Sequence, residues 1–380
     1  MTALSAQIEE SRARSDALFQ VVNPAAMYDR PVPERHRPIF YLGHLEAFDW
    51  NLFSQYALNR PSFHPSFDKL FAFGIDPGPG GTPADSASDW PDEKEVRGYA
   101  ARTRREIDLD RIPETLLHVA LEHRLMHAET LAYLIHNLPY ESKRGPVPQP
   151  CESRRLKSDT IEIPAGTAVL GRPRGDGFGW DNEFERHEVE VPAFRISRHK
   201  LTNGEYLDYV RAGAKPPHFW IARDGKFFLR AMFGEIPLPL DWPVYATHAE
   251  ASAYANWRRA ALPNEAQFHR AAEGAAPVNV DFERWDPVAS DVGGMSRHGA
   301  MQMLGNGWEW TSTVFAPFEG FEPFAFYPGY SANFFDGEHY VLKGASPRTA
   351  SCFLRASFRN WFRADYPYLY AGFRLVEIES

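Results

Sequence analysis

The sequence predicts an α+β chain in two parts: a four-helix bundle over residues 1–150 and a mixed domain over 151–380. Three observations carry this prediction. The first part holds four long stretches with helical apolar spacing. A Pro- and charge-rich segment, "PYESKRGPVPQPCESRR", then interrupts the pattern. Beyond it come short alternating stretches among Gly, Pro and Trp turns.

Taken in order, "LSAQIEESRARSDALFQVV" reads as an amphipathic first helix, closed by "NPAAMYDRPVP". "IFYLGHLEAFDWNLFSQYAL" (39–58) is the second, apolar around most of its surface as a bundle helix should be. "GIDPGPGGTPADSASDWP" is a Gly/Pro-rich loop, and "DEKEVRGYAARTRREID" a third helix. "PETLLHVALEHRLMHAETLAYLIHNL" is the fourth, bounded by Pro113 and Pro139. In the second part "DTIEIPAGTAVLG", "HEVEVPAFRISRHKLT" and "YVLKGAS" read as strands, interrupted by short helices at "TNGEYLDYVRAG" and "THAEASAYANWRRAA".

Hydrophobic residues at 44% and charged residues at 24% are ordinary for a globular protein. The net charge of -9, with no Lys/Arg cluster, argues against a nucleic-acid partner. The N-terminal stretch is polar and no run approaches the length of a membrane span, so a cytoplasmic location is expected. Two cysteines, Cys151 and Cys352, provide neither a disulfide framework nor a cysteine-rich zinc site. Aromatic residues reach 14% and crowd the last third, which suits a pocket lined with rings.

The fourth helix poses the chemical question. His123 and His127 are four residues apart, on one helix face, so both imidazoles can reach one point. A structural or surface role is the alternative for such a pair, and His118 and His136 on the same helix need no metal. A metal site needs a third ligand. His44, in "YLGHLEAFDW", is the best candidate, because antiparallel bundle helices can bring it opposite the pair. Three imidazoles suit Fe, Zn and Cu alike, so the spacing leaves the metal open.

"EHRLMHAETL" resembles the His-x-x-x-His-x-Glu motif of the ergothioneine-type synthases, the EgtB and OvoA type. Those enzymes join a DinB-like helical bundle to a C-type-lectin-like domain resembling the formylglycine-generating enzyme. That second domain is matched here by "GFGWDNEFERHEVEV", "LTNGEYLDYV", "ALPNEAQFHRAA", "GNGWEWTST" and "FRNWFRADYPYLYAGFRL", in order across nearly the whole chain. The resemblance implies one mononuclear non-haem Fe(II) on His44, His123 and His127, with O2 as cosubstrate. It implies a substrate pocket formed by the second domain, and small-molecule substrates: hercynine (Nα-trimethylated histidine) and a chalcogen donor.

Residue by residue, "YPGY" puts Tyr327 and Tyr330 where the family has active-site tyrosines. Tyr327 is the expected proton donor in the oxygen chemistry and Tyr330 the residue that orients substrate. Asn360 and Trp361 of "RNW" match positions lining the hercynine pocket, where an aromatic face would hold the trimethylammonium. Trp308, Trp310 and Phe178 read as core. Two positions depart from the mycobacterial-type sulfoxide synthases: Phe362 replaces an Asp that helps hold the amine of γ-glutamylcysteine, and Met126 replaces a Gln of the hercynine pocket. Together with the loop "LFAFGIDPGPGG…SDWP", these make the chain resemble the selenoneine-synthase branch, which takes a selenosugar and forms a carbon–selenium bond to hercynine.

Three functions therefore compete. One is the iron-dependent C–Se synthase, or its C–S counterpart using cysteine or γ-glutamylcysteine. Another is a formylglycine-generating enzyme, which needs a pair of reactive cysteines where this half has Cys352 alone. The third is a non-catalytic binding module, against which the complete histidine set argues. A structural calcium in the second domain is left open.

Overall fold

The computed structural model describes residues 2–72, 83–149 and 152–378, and the chain divides into two compact units, Met1–Val147 and Pro148–Ser380. Residues 73–82 of the Gly/Pro-rich loop lie outside the described residues, as does Cys151.

The first unit is helical. Helix α1 (Ala3–Val21) starts where the Thr2 side chain accepts a hydrogen bond from the Ser5 backbone. Helix α2 (Pro38–Asp49) has Pro at its first position and is buried along nearly its whole length. It runs on as a π-helical segment, Trp50–Ala57, so the expected single helix over 39–58 changes winding in its second half. A short helix the sequence reading lacked, α3 (Pro65–Leu70), follows. Helix α4 (Glu93–Glu106) carries acids in its first turn and Arg104 and Arg105 in its last, which complements its dipole. Helix α5 (Glu114–Asn137) is buried on almost all sides. Helix α1 packs on α5, and α2 packs on both α4 and α5. The bundle therefore places the face of α2 that bears His44 against α5.

The second unit is built from short strands. β1 (Thr160–Ile163), β2 (Gly166–Leu170), β3 (His187–Val191) and β4 (Phe194–Ser197) lead into helix α6 (Asn203–Arg211). A meander of β5 (Trp220–Arg223), β6 (Lys226–Ala231) and β7 (Gly234–Pro237) comes next. Then follow α7 (His248–Trp257), β8 (Ala260–Ala261), α8 (Glu265–Ala271), β9 (Pro277–Val278) and β10 (Leu304–Gly305). The chain closes with β11 (Gly307–Val314), β12 (His339–Ala345), β13 (Asn360–Arg363), β14 (Ala371–Gly372) and β15 (Val376–Glu377).

Two four-stranded sheets, in the orders β1-β4-β15-β8 and β13-β12-β11-β14, organise these elements. Alternation sends Ile161 and Ile163 of β1 inward, where they join Leu170, Ile196, Phe268, Met303 and Val376 in one apolar core. Trp308 and Trp310 are buried as expected, and Phe178 is half-buried. The capping boxes Thr202–Glu205, Thr247–Glu250 and Asn264–Gln267 start α6, α7 and α8. Fully buried Glu309 bridges Lys200 and Arg374, and buried Glu265 pairs with Arg359 and Lys343, so these interior charges are matched.

Candidate metal centre

Phe40, His44 and Phe48 recur every four residues on α2, so they form one stripe. His123 and His127 form the matching stripe on α5. Where the stripes meet, His44 Nε2 lies 3.2 Å from His127 Nε2, which in turn lies 3.1 Å from His123 Nε2. All three side chains are buried. Aromatic neighbours set the ring planes: Phe40 stacks on His44 at 4.9 Å and Phe48 on His123 at 3.5 Å.

The tautomer of His44 follows from its partner. Its Nδ1 is 2.6 Å from the Phe71 carbonyl, which can only accept, so Nδ1 carries the hydrogen and Nε2 presents a lone pair. Gly43 makes this contact geometrically possible, because a Cβ there would stand 2.5 Å from the Phe71 ring. Burial pushes His44 down to about 4, and burial likewise holds His123 and His127 well below the ordinary histidine range, with the charges of His127 and His44 adding to the effect at His123 and those of His44 and Arg35 at His127. At neutral pH all three are uncharged.

These groups can hold a metal ion, and they form the one three-residue His/Cys/Asp/Glu cluster with that geometry among the described residues. A metal–imidazole bond of about 2.1 Å implies ligand nitrogens about 3.0 Å apart at right angles and about 3.4 Å apart in a tetrahedron. The two closest spacings, 3.1 and 3.2 Å, fall between those limits. A cation accepts all three lone pairs together, whereas one shared proton serves one pair at a time. Three protein ligands leave coordination positions open for exogenous groups.

A second layer of charge surrounds the centre, and the sequence reading missed it. Arg124, next to His123, donates to Glu46 at 2.9 Å and to Asp49 at 2.8 Å, both on α2 just past His44. Arg104 of α4 also donates to Glu46, at 2.7 Å, and pairs with Asp16 of α1. Burial works to raise the Glu46 carboxyl, but Arg124 and Arg104 overcome it and hold Glu46 at about 2. Charged letters inside helices that are otherwise apolar all round were the available signal.

Met126 sits beside His127 on α5 and is half-buried on a helix whose other faces are largely covered. The other expected site residues belong to the second unit. Buried Tyr330 stacks on Trp180 at 3.9 Å, with half-buried Tyr327 at 5.5 Å and Trp361 edge-on at 5.3 Å. Trp361 also stacks on Phe315 at 4.3 Å. These rings form one cluster. Strand alternation in β13 directs Asn360 and Phe362 to the face opposite Trp361, where Phe362 stacks on Tyr366 at 5.2 Å. The fold thus joins Tyr327, Tyr330 and Trp361 but separates Phe362 from them by the pleat.

Known proteins match this sequence across both units. The Sulfatase-modifying factor enzyme 1-like domain family matches residues 147–285 and 279–378. Ergothioneine biosynthesis protein 1 of Schizosaccharomyces pombe is 28% identical over 447 residues, covering 99% of this chain and 57% of that protein. Its namesake in Neurospora crassa is 27% identical, covering 94% of this chain and 55% of that protein. Hercynine oxygenase of Mycolicibacterium smegmatis is 32% identical over 341 residues, covering 74% of this chain and 77% of that protein. The chain spans little more than half the length of the two fungal relatives. A helical unit with a three-histidine centre, followed by a sulfatase-modifying-factor-like unit, defines a class of protein. This chain belongs to the ergothioneine-synthase-type family, the EgtB/OvoA type, that includes the hercynine oxygenases.

Proposed function

We propose that this protein is an O2-dependent non-haem Fe(II) enzyme that joins the imidazole of hercynine to a chalcogen donor. The observation that carries the reading is the meeting of the His44, His123 and His127 Nε2 atoms in a chain that is similar to hercynine oxygenase. Iron bound there would supply the redox chemistry with oxygen, since replacing an imidazole C–H by a C–Se or C–S bond is an oxidation. The chain's own residues bind, orient and move protons. Neutral imidazoles leave the metal's charge uncompensated, which favours an anionic selenolate or thiolate donor. The bond from His44 Nδ1 to Phe71 keeps the ligand nitrogen free of its proton.

In the second unit, Tyr327 is the proposed proton donor at its hydroxyl and Tyr330 the orienting residue. The aromatic face of Trp361 suits the trimethylammonium of hercynine, whereas strand alternation turns Asn360 away from that ring. Met126 contributes an apolar wall.

The finer reading is that the donor is a selenosugar and the product a selenoneine-type carbon–selenium compound. Phe362 supports it. An apolar ring stacked on Tyr366 offers no carboxylate to an α-amino group, whereas a sugar has no amine to pair. A second reading has its own support: the similar fungal proteins are named for ergothioneine biosynthesis, which favours a C–S bond to cysteine or γ-glutamylcysteine. Anaerobic Fe(II) loading followed by oxygen, hercynine and selenoglucose, thioglucose, cysteine or γ-glutamylcysteine tests both, with products read by mass. Coupling to selenoglucose is expected. Coupling to a thiol donor alone would replace the selenium reading by the sulfur one, and hercynine left unconsumed with every donor would overturn the proposal.

A further inference from the structure

We propose that Arg124 is a positioning residue for the three-histidine centre, setting the separation of His44 from His123 and His127 by locking α5 to α2. The inference rests on the metal-centre reading above. Arg124 is 1% exposed and adjacent in sequence to His123. Its guanidinium forks. One nitrogen donates to Glu46 Oε1 at 2.9 Å and lies 3.4 Å from Ser15 Oγ; the other donates to Asp49 Oδ2 at 2.8 Å and to the Leu45 carbonyl at 3.2 Å. Leu45, Glu46 and Asp49 all follow His44 within five residues on α2. The clamp therefore grips both helices beside the points where their ligands meet.

The network around it reaches the other two helices of the bundle. Arg12 of α1 reaches Asp49 at 3.3 Å, and Arg104 of α4 reaches Glu46 at 2.7 Å and Asp16 at 2.7 Å. Three guanidiniums thus face four carboxylates, since Arg12 also pairs with Glu9 at 2.8 Å on the outer side of α1. Interior charge of this kind is a poor source of stability, because desolvation offsets much of the attraction. Its directed bonds do something apolar packing does not: they resist sliding. One residue of slip along a helix is about 1.5 Å, and a metal centre tolerates roughly 0.5 Å. The Phe, Leu and Ala contacts between α2 and α5 could re-form after such a slip. The planar fork could not, and lysine, a point donor, would not replace it.

The test measures Co(II) binding, apart from any turnover. Cobalt is titrated into metal-free wild type, Arg124→Lys, His44→Ala and the double variant, following the visible absorption of bound Co(II), with helix content checked by circular dichroism. Arg124→Lys is expected to weaken Co(II) binding by about 10- to 100-fold and to change the band shape while helix content is kept. In the His44→Ala background the same change should add nothing, because the residue it positions is gone. Asp49→Asn, which removes one arm of the fork, should give a smaller shift of the same kind, and stands in if Arg124→Lys fails to fold. Wild-type affinity and band shape in Arg124→Lys, or in Asp49→Asn where it is the variant that folds, would overturn the proposal. So would an equal loss with and without His44. A wild type that binds no Co(II) would overturn the metal-centre reading itself, and the positioning role with it.

Discussion

Burial of three neutral histidines makes the metal-free protein sensitive to acid. His44 is driven down to about 4 from the ordinary 6.5, chiefly by desolvation. Between those values the unfolded chain takes up a proton that the folded chain refuses. Stability is therefore full above pH 6.5 and falls as pH drops toward 4. The whole shift is worth about 3 kcal/mol, and moving from pH 7 to pH 5 costs about 2 kcal/mol through His44 alone. His123 and His127 are shifted in the same direction and add to the slope. The assay is urea unfolding of metal-free wild type and His44→Gln at both pH values, followed by far-ultraviolet circular dichroism. The variant should lose about 2 kcal/mol less than wild type on acidification. Equal losses in the two proteins would refute the claim that His44 is buried in its neutral form.

Replacing Tyr327 by Phe removes only a hydroxyl, so folding should persist while hercynine coupling falls by roughly 100- to 10,000-fold; an unchanged rate and product ratio would return the ring to packing. Phe362→Asp should bring partial use of an amine-bearing donor, since one charge-assisted hydrogen bond supplies about 1.5–3 kcal/mol, and competition between selenoglucose and γ-glutamylcysteine measures it. Gly43→Ala gains about 1 kcal/mol of helix propensity but overpacks the fully buried Phe71 at a cost of about 1–3 kcal/mol. Displacing Phe71 should also loosen its bond to His44, which a drop in metal affinity would reveal.

The four long helices of the first unit were legible because their signals are local, whereas the six-residue α3 is too short to show a period. Pro113 and Pro139 bracket α5, and the periodic stretch 113–138 corresponds to Glu114–Asn137 in the fold. The convergence of His44 on the α5 pair could also be anticipated, because the bundle brings α2 against α5 and the residue spacing does the rest. The π winding over Trp50–Ala57 was not legible, since eight residues are too few for apolar spacing to separate π from α winding. The clamp of Arg124, Glu46 and Asp49 escaped for a different reason: nothing in one sequence tells which distant carboxylate a buried arginine meets. In the second unit the meander β5–β7 lacks a clean apolar–polar alternation, as its half-buried middle strand shows. Helix α8 did announce itself through Asn264 and Gln267, a capping box read only as part of a motif. Assigning Tyr327, Asn360 and Phe362 depended on resemblance, because residue type alone favours packing for aromatic side chains.

The central claim is that His44, His123 and His127 together hold one iron, and anaerobic Fe(II) titration with metal analysis tests it most directly. Wild type should bind one Fe(II) per chain, and Ala at any of the three positions should sharply lower the occupancy by leaving fewer than three ligands. Full iron occupancy in all three variants would contradict it.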